Sequence, residues 1–303
     1  MNNSDNFTGI FPAVVTPFSP GSSPDTRGLE KLTDHLYKND VNGIFVGGNM
    51  GEWFTQTLEE RKNIAERAVK LSAGRGKVIL QVGSARFEDA IALVKYGEKI
   101  EVDAIGSLPP YNARFSEKEI VSYYRKLAAA TRLPVFLYYH PALTGFQIGQ
   151  DTIKMLETVP NIAGIKFTDY DLLTLFKLIN LENKKLSVMI GHDQVLNPGL
   201  SIGASGGIGS FYNIIPKAFV TVYQLIKDGN LNEANSLQTE INKFIQFVKK
   251  FPLIPVFKYI LKMNNIIYEN FRLSNMPLTE NDKVQLEKML GENIFYNKWK
   301  ITA

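Results

Sequence analysis

Eight times along this chain a short run rich in Val and Ile is followed by a longer amphipathic stretch, and this alternation constrains the fold more than any other feature. The runs fall at residues 9–16, 43–48, 78–82, 104–108, 135–139, 163–167, 188–190 and 207–210. They show little period-two alternation, as parallel strands covered on both faces must, because neither side meets water. Between them, helical spacing puts Leu29, Leu32 and Leu36 on one face of 26–38 and gathers Ile64, Ala68 and Leu71 in 58–72; stretches 88–100 and 116–131 repeat the design. Parallel neighbours need crossovers, and closing the ring removes both sheet edges. The pattern predicts an α/β fold, a (β/α)8 TIM barrel over residues 1–227. Helical patterns at 231–251, 255–263 and 279–290 then predict a C-terminal helical extension over 228–303, packed on the barrel.

Composition closes off several function classes. Among 303 residues, 34 Lys plus Arg stand against 30 Asp plus Glu, a net charge of +4, and the basic residues are scattered. A nucleic-acid partner would need a clustered stripe, so none is expected. With no Cys there is no disulfide, thiol nucleophile or Cys-ligated metal, and the three His, at 35, 140 and 192, leave little for a metal site. The first seven residues lack the basic start and apolar run of a signal peptide, and no stretch approaches the roughly 18 apolar residues of a membrane span. A cytoplasmic location without membrane attachment is the expectation. No G-x-G-x-x-G follows the first strand and no P-loop is present, so a nucleotide cofactor has no motif to support it.

In such barrels the reacting residues lie at the C-terminal ends of strands and in the loops that follow. After strand two comes Gly47-Gly-Asn-Met-Gly-Glu52, either a cradle of inward N–H groups for an anion or simply a tight turn. After strand five, Tyr138 and Tyr139 are adjacent, so one of them should face the barrel mouth, where a hydroxyl can relay protons. Lys166 lies in the apolar run Ala163-Gly-Ile-Lys-Phe-Thr168, where a charged ammonium is costly to bury. Its neutral form would be a Schiff-base nucleophile; the alternative is a lysine snorkelling outward or paired with Asp169. Asp193 and Ser210, after strands seven and eight, suit the hydroxyls of a sugar-like ligand, and the glycines of 203–209 also suggest a phosphate site. His140 and His192 read as polar rim, Trp53 and Trp299 as packing.

Taken together, these windows resemble the pyruvate-handling class I aldolases and lyases typified by dihydrodipicolinate synthase and N-acetylneuraminate lyase. The marks are Phe11-Pro-Ala-Val-Val-Thr-Pro-Phe18, the turn ending at Glu52, Pro109-Pro-Tyr-Asn112, the 138–145 segment, Gly164-Ile-Lys166, and Gly191-x-Asp193 followed by Gly206-Gly-Ile-Gly-Ser210. A fainter echo runs through Pro255-Val-Phe-Lys258 and 272–278. The resemblance implies a Schiff base between Lys166 and the keto carbon of a 2-oxo acid, with Tyr138 moving protons and no metal or organic cofactor. It implies that Gly48 and Asn49 hold the pyruvate-moiety carboxylate, and that Thr168, Gly191, Asp193, Gln194 and Ser210 grip the rest of the substrate. It further implies a homotetramer, with Tyr111 near a subunit boundary.

Within that family, a dihydrodipicolinate synthase would carry an Arg where this chain has Leu143, so the synthase reading loses its acid-binding group. Pro141-Ala-Leu-Thr-Gly145, Lys166-Phe-Thr168 and Gly209-Ser-Phe-Tyr-Asn213 are instead similar to N-acetylneuraminate lyases. Two departures stand out. Asn49-Met50 replaces the usual pair of hydroxyl residues, and Gln194 replaces the expected Glu, keeping hydrogen-bonding capacity while losing charge.

Overall fold

The computed structural model describes residues 7–111, 113–272 and 277–300. Residues 1–6, Asn112 of the Pro-Pro-Tyr-Asn motif and residues 273–276 of the 272–278 echo therefore lie outside the described residues. Eight strands, β1 (Gly9–Pro12), β2 (Gly43–Val46), β3 (Lys77–Gln81), β4 (Ala104–Ser107), β5 (Val135–Tyr139), β6 (Ile162–Phe167), β7 (Ser187–Ile190) and β8 (Gly206–Gly209), form one parallel sheet in the order β1-β8-β7-β6-β5-β4-β3-β2. A parallel bridge between Ala13 and Phe45 and the bond from the Val14 amide to the Phe45 carbonyl (2.9 Å) bring β1 back against β2, so the sheet curls into the expected barrel. Almost every strand residue is buried, as a sheet covered by helices outside and filled by side chains inside requires.

Around the ring run α1 (Thr26–Lys38), α2 (Leu58–Ser72), α3 (Phe87–Lys99), α4 (Glu117–Ala129), the short α5 (Pro141–Thr144), α6 (Gln150–Thr158), α7 (Leu172–Ile179), α8 (Leu196–Ser201) and α9 (Pro216–Lys227). Their starts are written locally. Thr57 with Glu60 and Ser116 with Glu119 form reciprocal capping boxes that satisfy the first free amides of α2 and α4. Beyond α9 come α10 (Leu231–Val248), α11 (Leu253–Met263), α12 (Glu280–Glu292) and α13 (Ile294–Trp299). The last was not among the three expected; it is a single capped turn and a half, started by the Asn293 side chain accepting from the Tyr296 amide.

Strand one is shorter than the 9–16 run suggested, for a specific reason. Beyond Pro12 the backbone partners change: the Asn213 side chain accepts from the Val15 amide (3.3 Å) and donates to the Ala13 carbonyl (2.9 Å), replacing ladder bonds with a side-chain clasp from the turn after β8. Inside, Phe11 and Phe136 press on Gly43 and Gly164 of the adjoining strands, and Phe45 reaches across to Gly106 on β4. Each of these glycines leaves the volume that a ring then fills.

A buried ion pair fastens the C-terminal helices to the barrel. Lys258 on α11 donates to Glu52 at 2.5 Å with both side chains fully buried, and also to the Asn270 carbonyl (2.9 Å). Glu52 has a left-handed backbone (φ 55°) and also accepts from the Arg272 amide (2.8 Å), while Arg272 itself pairs with Glu60. Both cations lie over the Phe18 ring, Lys258 at 4.3 Å and Arg272 at 4.5 Å from its centre. Removing one partner would strand a charge in a dry site. Lys258→Met should therefore lower unfolding free energy by about 3–5 kcal/mol in a denaturant titration. The double change Glu52→Gln with Lys258→Met should recover part of that loss, and a single variant as stable as the parent would rule out this account.

Candidate active site

Strand register builds the site. Tyr138 on β5 and Lys166 on β6 are directly paired positions, so both project to the same face of the sheet, and Met189 on β7 pairs with Lys166 on its other side. Of the two adjacent tyrosines, Tyr138 faces the barrel mouth. Tyr139 points away, stacked on Phe167 (5.3 Å) and donating to Gln147 (2.9 Å). Lys166 is only 5% exposed, its Nζ 4.1 Å from the centre of the Tyr138 ring and 4.6 Å from that of Phe45. It makes no salt bridge among the described residues, so the pairing with Asp169 weighed from the sequence does not form. Burial pushes its amine down to about 7, and the Asp193 carboxylate offsets only part of that.

A cavity of about 250 Å³ opens before this amine. Its wall includes Asn49, Tyr138, Lys166, Thr168, Gly191, Asp193, Gln194 and Ser210, all of the residues expected to be catalytic or substrate-binding except Gly48. Gly48 stands one residue behind the wall, at the start of the single turn of residues 49–51 that follows β2. Gly47 turns the chain there with φ 73°, a conformation costly to a residue bearing a Cβ. The amides of Asn49 and Met50 have no acceptor among the described residues, as first-turn amides commonly do not.

Asn49 is not loose. Its side-chain carbonyl accepts from the Trp53 indole at 2.9 Å, and the Arg61 guanidinium lies 5.1 Å over that indole. Trp53, read as packing from the sequence, thus also orients Asn49. Only the indole N–H, four residues on, could have signalled this.

On the opposite wall, Asp193 Oδ2 accepts from the Ser210 hydroxyl (2.8 Å) and from the Ser210 and Phe211 amides (both 3.2 Å). These amides are the ones a phosphate would need after β8, and the carboxylate already fills them. That removes the phosphate site suggested by the glycine-rich 203–209 stretch. Gly209 has to be glycine, because a Cβ there would collide with Asp193 Oδ1, an oxygen with no hydrogen-bond partner in the protein. Burial raises the Asp193 carboxyl, against the Ser210 hydroxyl, the Phe211 amide and Lys166.

Burial likewise raises the Tyr138 phenol well above its ordinary value; the nearby Thr168 hydroxyl, which completes no hydrogen bond in this geometry, moderates the rise and Asp193 adds to it. At the rim, His140 and His192 approach edge to face (6.1 Å), and His192 stacks on Tyr170 at 4.2 Å. Burial lowers both, His140 with help from Lys166 and His192 to about 4 with help from His140 and Lys249, so both are neutral at pH 7. They form the polar rim expected of them. The described residues hold no cluster of His, Cys, Asp and Glu able to bind a metal. No helix among them is long and apolar enough to cross a membrane.

With this geometry in view, the comparisons with known proteins are specific. The profile of the dihydrodipicolinate synthetase family matches residues 6–293. The chain belongs to that family. With membership comes its enzyme class, the class I aldolase-type carbon–carbon lyases. The chain is 31% identical over 263 residues to N-acetylneuraminate lyase of Escherichia coli (strain SMS-3-5 / SECEC), covering 86% of this chain and 88% of the relative. Among solved structures it is similar to a dihydrodipicolinate synthase (TM-score 0.87, 29% identity, 94% of this chain and 99% of that one). It is also similar to a prophage protein of the same family from E. coli K12, solved in complex with pyruvate (TM-score 0.88, 28% identity, 94% and 98%). Family members of both activities are thus about equally near.

The lowered amine gives a direct check. In competitive labelling with a small amine-reactive reagent, Lys166 should titrate with a midpoint about 7, its reactivity rising as the proton leaves, while exposed lysines titrate near 10. A Lys166 midpoint near 10 would contradict the burial argument.

Proposed function

We propose that this enzyme reversibly cleaves N-acetylneuraminate, or a close 2-oxo-3-deoxy sugar acid, into pyruvate and an aldehyde sugar through a Schiff base on Lys166. The observation that carries this reading is a nucleophilic amine, depressed to about 7 by burial, 4.1 Å from the ring of a buried tyrosine at the head of a polar cavity. Near neutral pH a large fraction of such an amine is unprotonated and can attack the keto carbon, losing water to form an imine. The imine nitrogen then carries a positive charge. That charge draws the electron pair of the breaking carbon–carbon bond and leaves an enamine instead of a free carbanion.

Tyr138 takes the proton from the hydroxyl on the carbon that becomes the aldehyde. Its phenol is neutral at rest, and the new cation beside it favours the phenolate, so its basicity develops only once substrate is attached. The enamine recovers a proton at carbon, and hydrolysis of the imine releases pyruvate and the free lysine. The free amides of the turn after β2 and the Asn49 side chain, held by Trp53, suit the 2-oxo acid carboxylate. Thr168, Gly191, Asp193, Gln194 and Ser210 face the hydroxyl-bearing chain.

Within the family, Leu143 favours the lyase over the synthase, because its place in Pro141-Ala-Leu-Thr-Gly145 lacks the cation a second acid would need. The same likeness carries a cytoplasmic homotetramer, and chemistry on a free sugar acid is consistent with that setting.

Borohydride added with pyruvate should fix a reduced pyruvate adduct on the peptide containing Lys166, and N-acetylneuraminate should yield pyruvate. Tyr138→Phe should still form the adduct while cleavage falls roughly 10²–10⁴-fold. An intact mass that does not change on trapping would remove the mechanism. Adduct formation without pyruvate release from N-acetylneuraminate would move the assignment to another 2-oxo acid.

A further inference from the structure

The helix α10 meets the cavity in a way the proposed reaction does not use. Three of its polar side chains bind the turn after β7 and the start of α8. Gln238 donates to the Asp193 carbonyl (3.1 Å) and accepts from the Asn197 amide (3.1 Å). Asn242 donates to the Gln194 carbonyl (3.1 Å), and Asn235 accepts from the Asn197 side chain (2.6 Å). Gln238, Asn242, Ile245 and Lys249 follow one another at spacings of four, three and four, so they form a single stripe along the helix. Gln238 and Asn242 of this stripe bind the β7 turn, and its last member, Lys249, lines the cavity with His192 and Gln194.

The charges at that outer end are unbalanced. Among the described residues the side-chain amine of Lys249 makes no ion pair or hydrogen bond. Gln194 in the wall is neutral, and both rim histidines are neutral at pH 7. Asp193 is the one carboxylate in the wall; it lies deep, with one oxygen committed to Ser210 and Phe211. Asp169 acts on both histidines from outside the wall, its side chain accepting from the Tyr170 amide (2.7 Å). An exposed cation at the end of a helix tied to the sugar-facing turn, with no carboxylate beside it in the wall, suits an anion on the ligand.

We propose that Lys249 selects substrates whose sugar chain ends in an oxyanion, a carboxylate or a phosphate, at the end remote from the keto acid. This rests on the Schiff-base reading and, within the 2-oxo-3-deoxy sugar acids proposed for the same cavity, favours an anion-ended chain over the neutral polyol end of N-acetylneuraminate. A lysine at a helix C-terminus also complements the helix dipole, a role that would leave substrate choice untouched.

The test runs the reaction in the condensing direction at low salt, with pyruvate and D-mannose, D-mannuronate or D-mannose 6-phosphate. One or both of the anionic aldehydes should exceed mannose in kcat/KM by about tenfold, an advantage that shrinks with added salt. Lys249→Met should abolish that ratio and Lys249→Glu should reverse it. Lys250→Met, in the same turn but outside the cavity wall, should leave it intact. A preference for the uronate alone or the phosphate alone identifies which oxyanion is read. Equal use of all three aldehydes, or a preference that survives Lys249→Met, would overturn the proposal, while borohydride trapping still reports on Lys166. Failure of both trapping and condensation would instead bring down the Schiff-base reading and this one with it.

Discussion

An amine cannot rest charged at low cost between the rings of Phe45 and Tyr138 inside a barrel, and the arrangement of the site follows from that constraint. Desolvation of an ammonium is expensive, and the nearest carboxylate, Asp193, compensates only in part because it is itself held by Ser210 and Phe211. The amine therefore spends much of its time unprotonated, the form that carbonyl chemistry requires. Had Asp169 paired with Lys166, the same residue on the same strand would have been an ordinary buried ion pair with no nucleophilicity.

The glycines around this amine serve the same end by subtraction. Gly209 makes room for Asp193 Oδ1, and Gly191 makes room for the Thr168 hydroxyl. In both places a polar atom of the cavity wall occupies the volume that a methyl group would take. The wall is thus assembled from short strand ends whose smallest residues let polar atoms stand close, and the stiffness of the barrel keeps them there.

Much of this was legible in the sequence, because the relevant signals are local. Strand periodicity, capping residues and the order of short motifs depend on neighbours within one turn or strand, and they located Lys166, Tyr138, Asp193 and Ser210 at adjacent strand ends. What was not legible depends on distance along the chain or on which atom of a side chain is engaged. Glu52 and Lys258 are 206 residues apart and nothing in either segment announces the other. The end of β1 was overestimated since its apolar run continues past the point where Asn213, 198 residues from Val15, takes over its backbone partners. Trp53 looked like filler because composition records an indole's bulk and not the bond its N–H makes to Asn49. A glycine-rich stretch looked like an anion cradle because a sequence does not reveal that an internal carboxylate already occupies it.

The Glu52–Lys258 pair also bears on the order in which the molecule can be completed. Glu52 immediately follows the turn that carries Asn49, whereas its cationic partner lies 206 residues on, in α11 beyond the last strand. A ribosome that has finished all eight strands has therefore not yet delivered Lys258, and until α11 follows, Glu52 lacks that counter-charge. Competence in this fold therefore waits for the helices beyond β8 to dock, and closure of the ring is not enough.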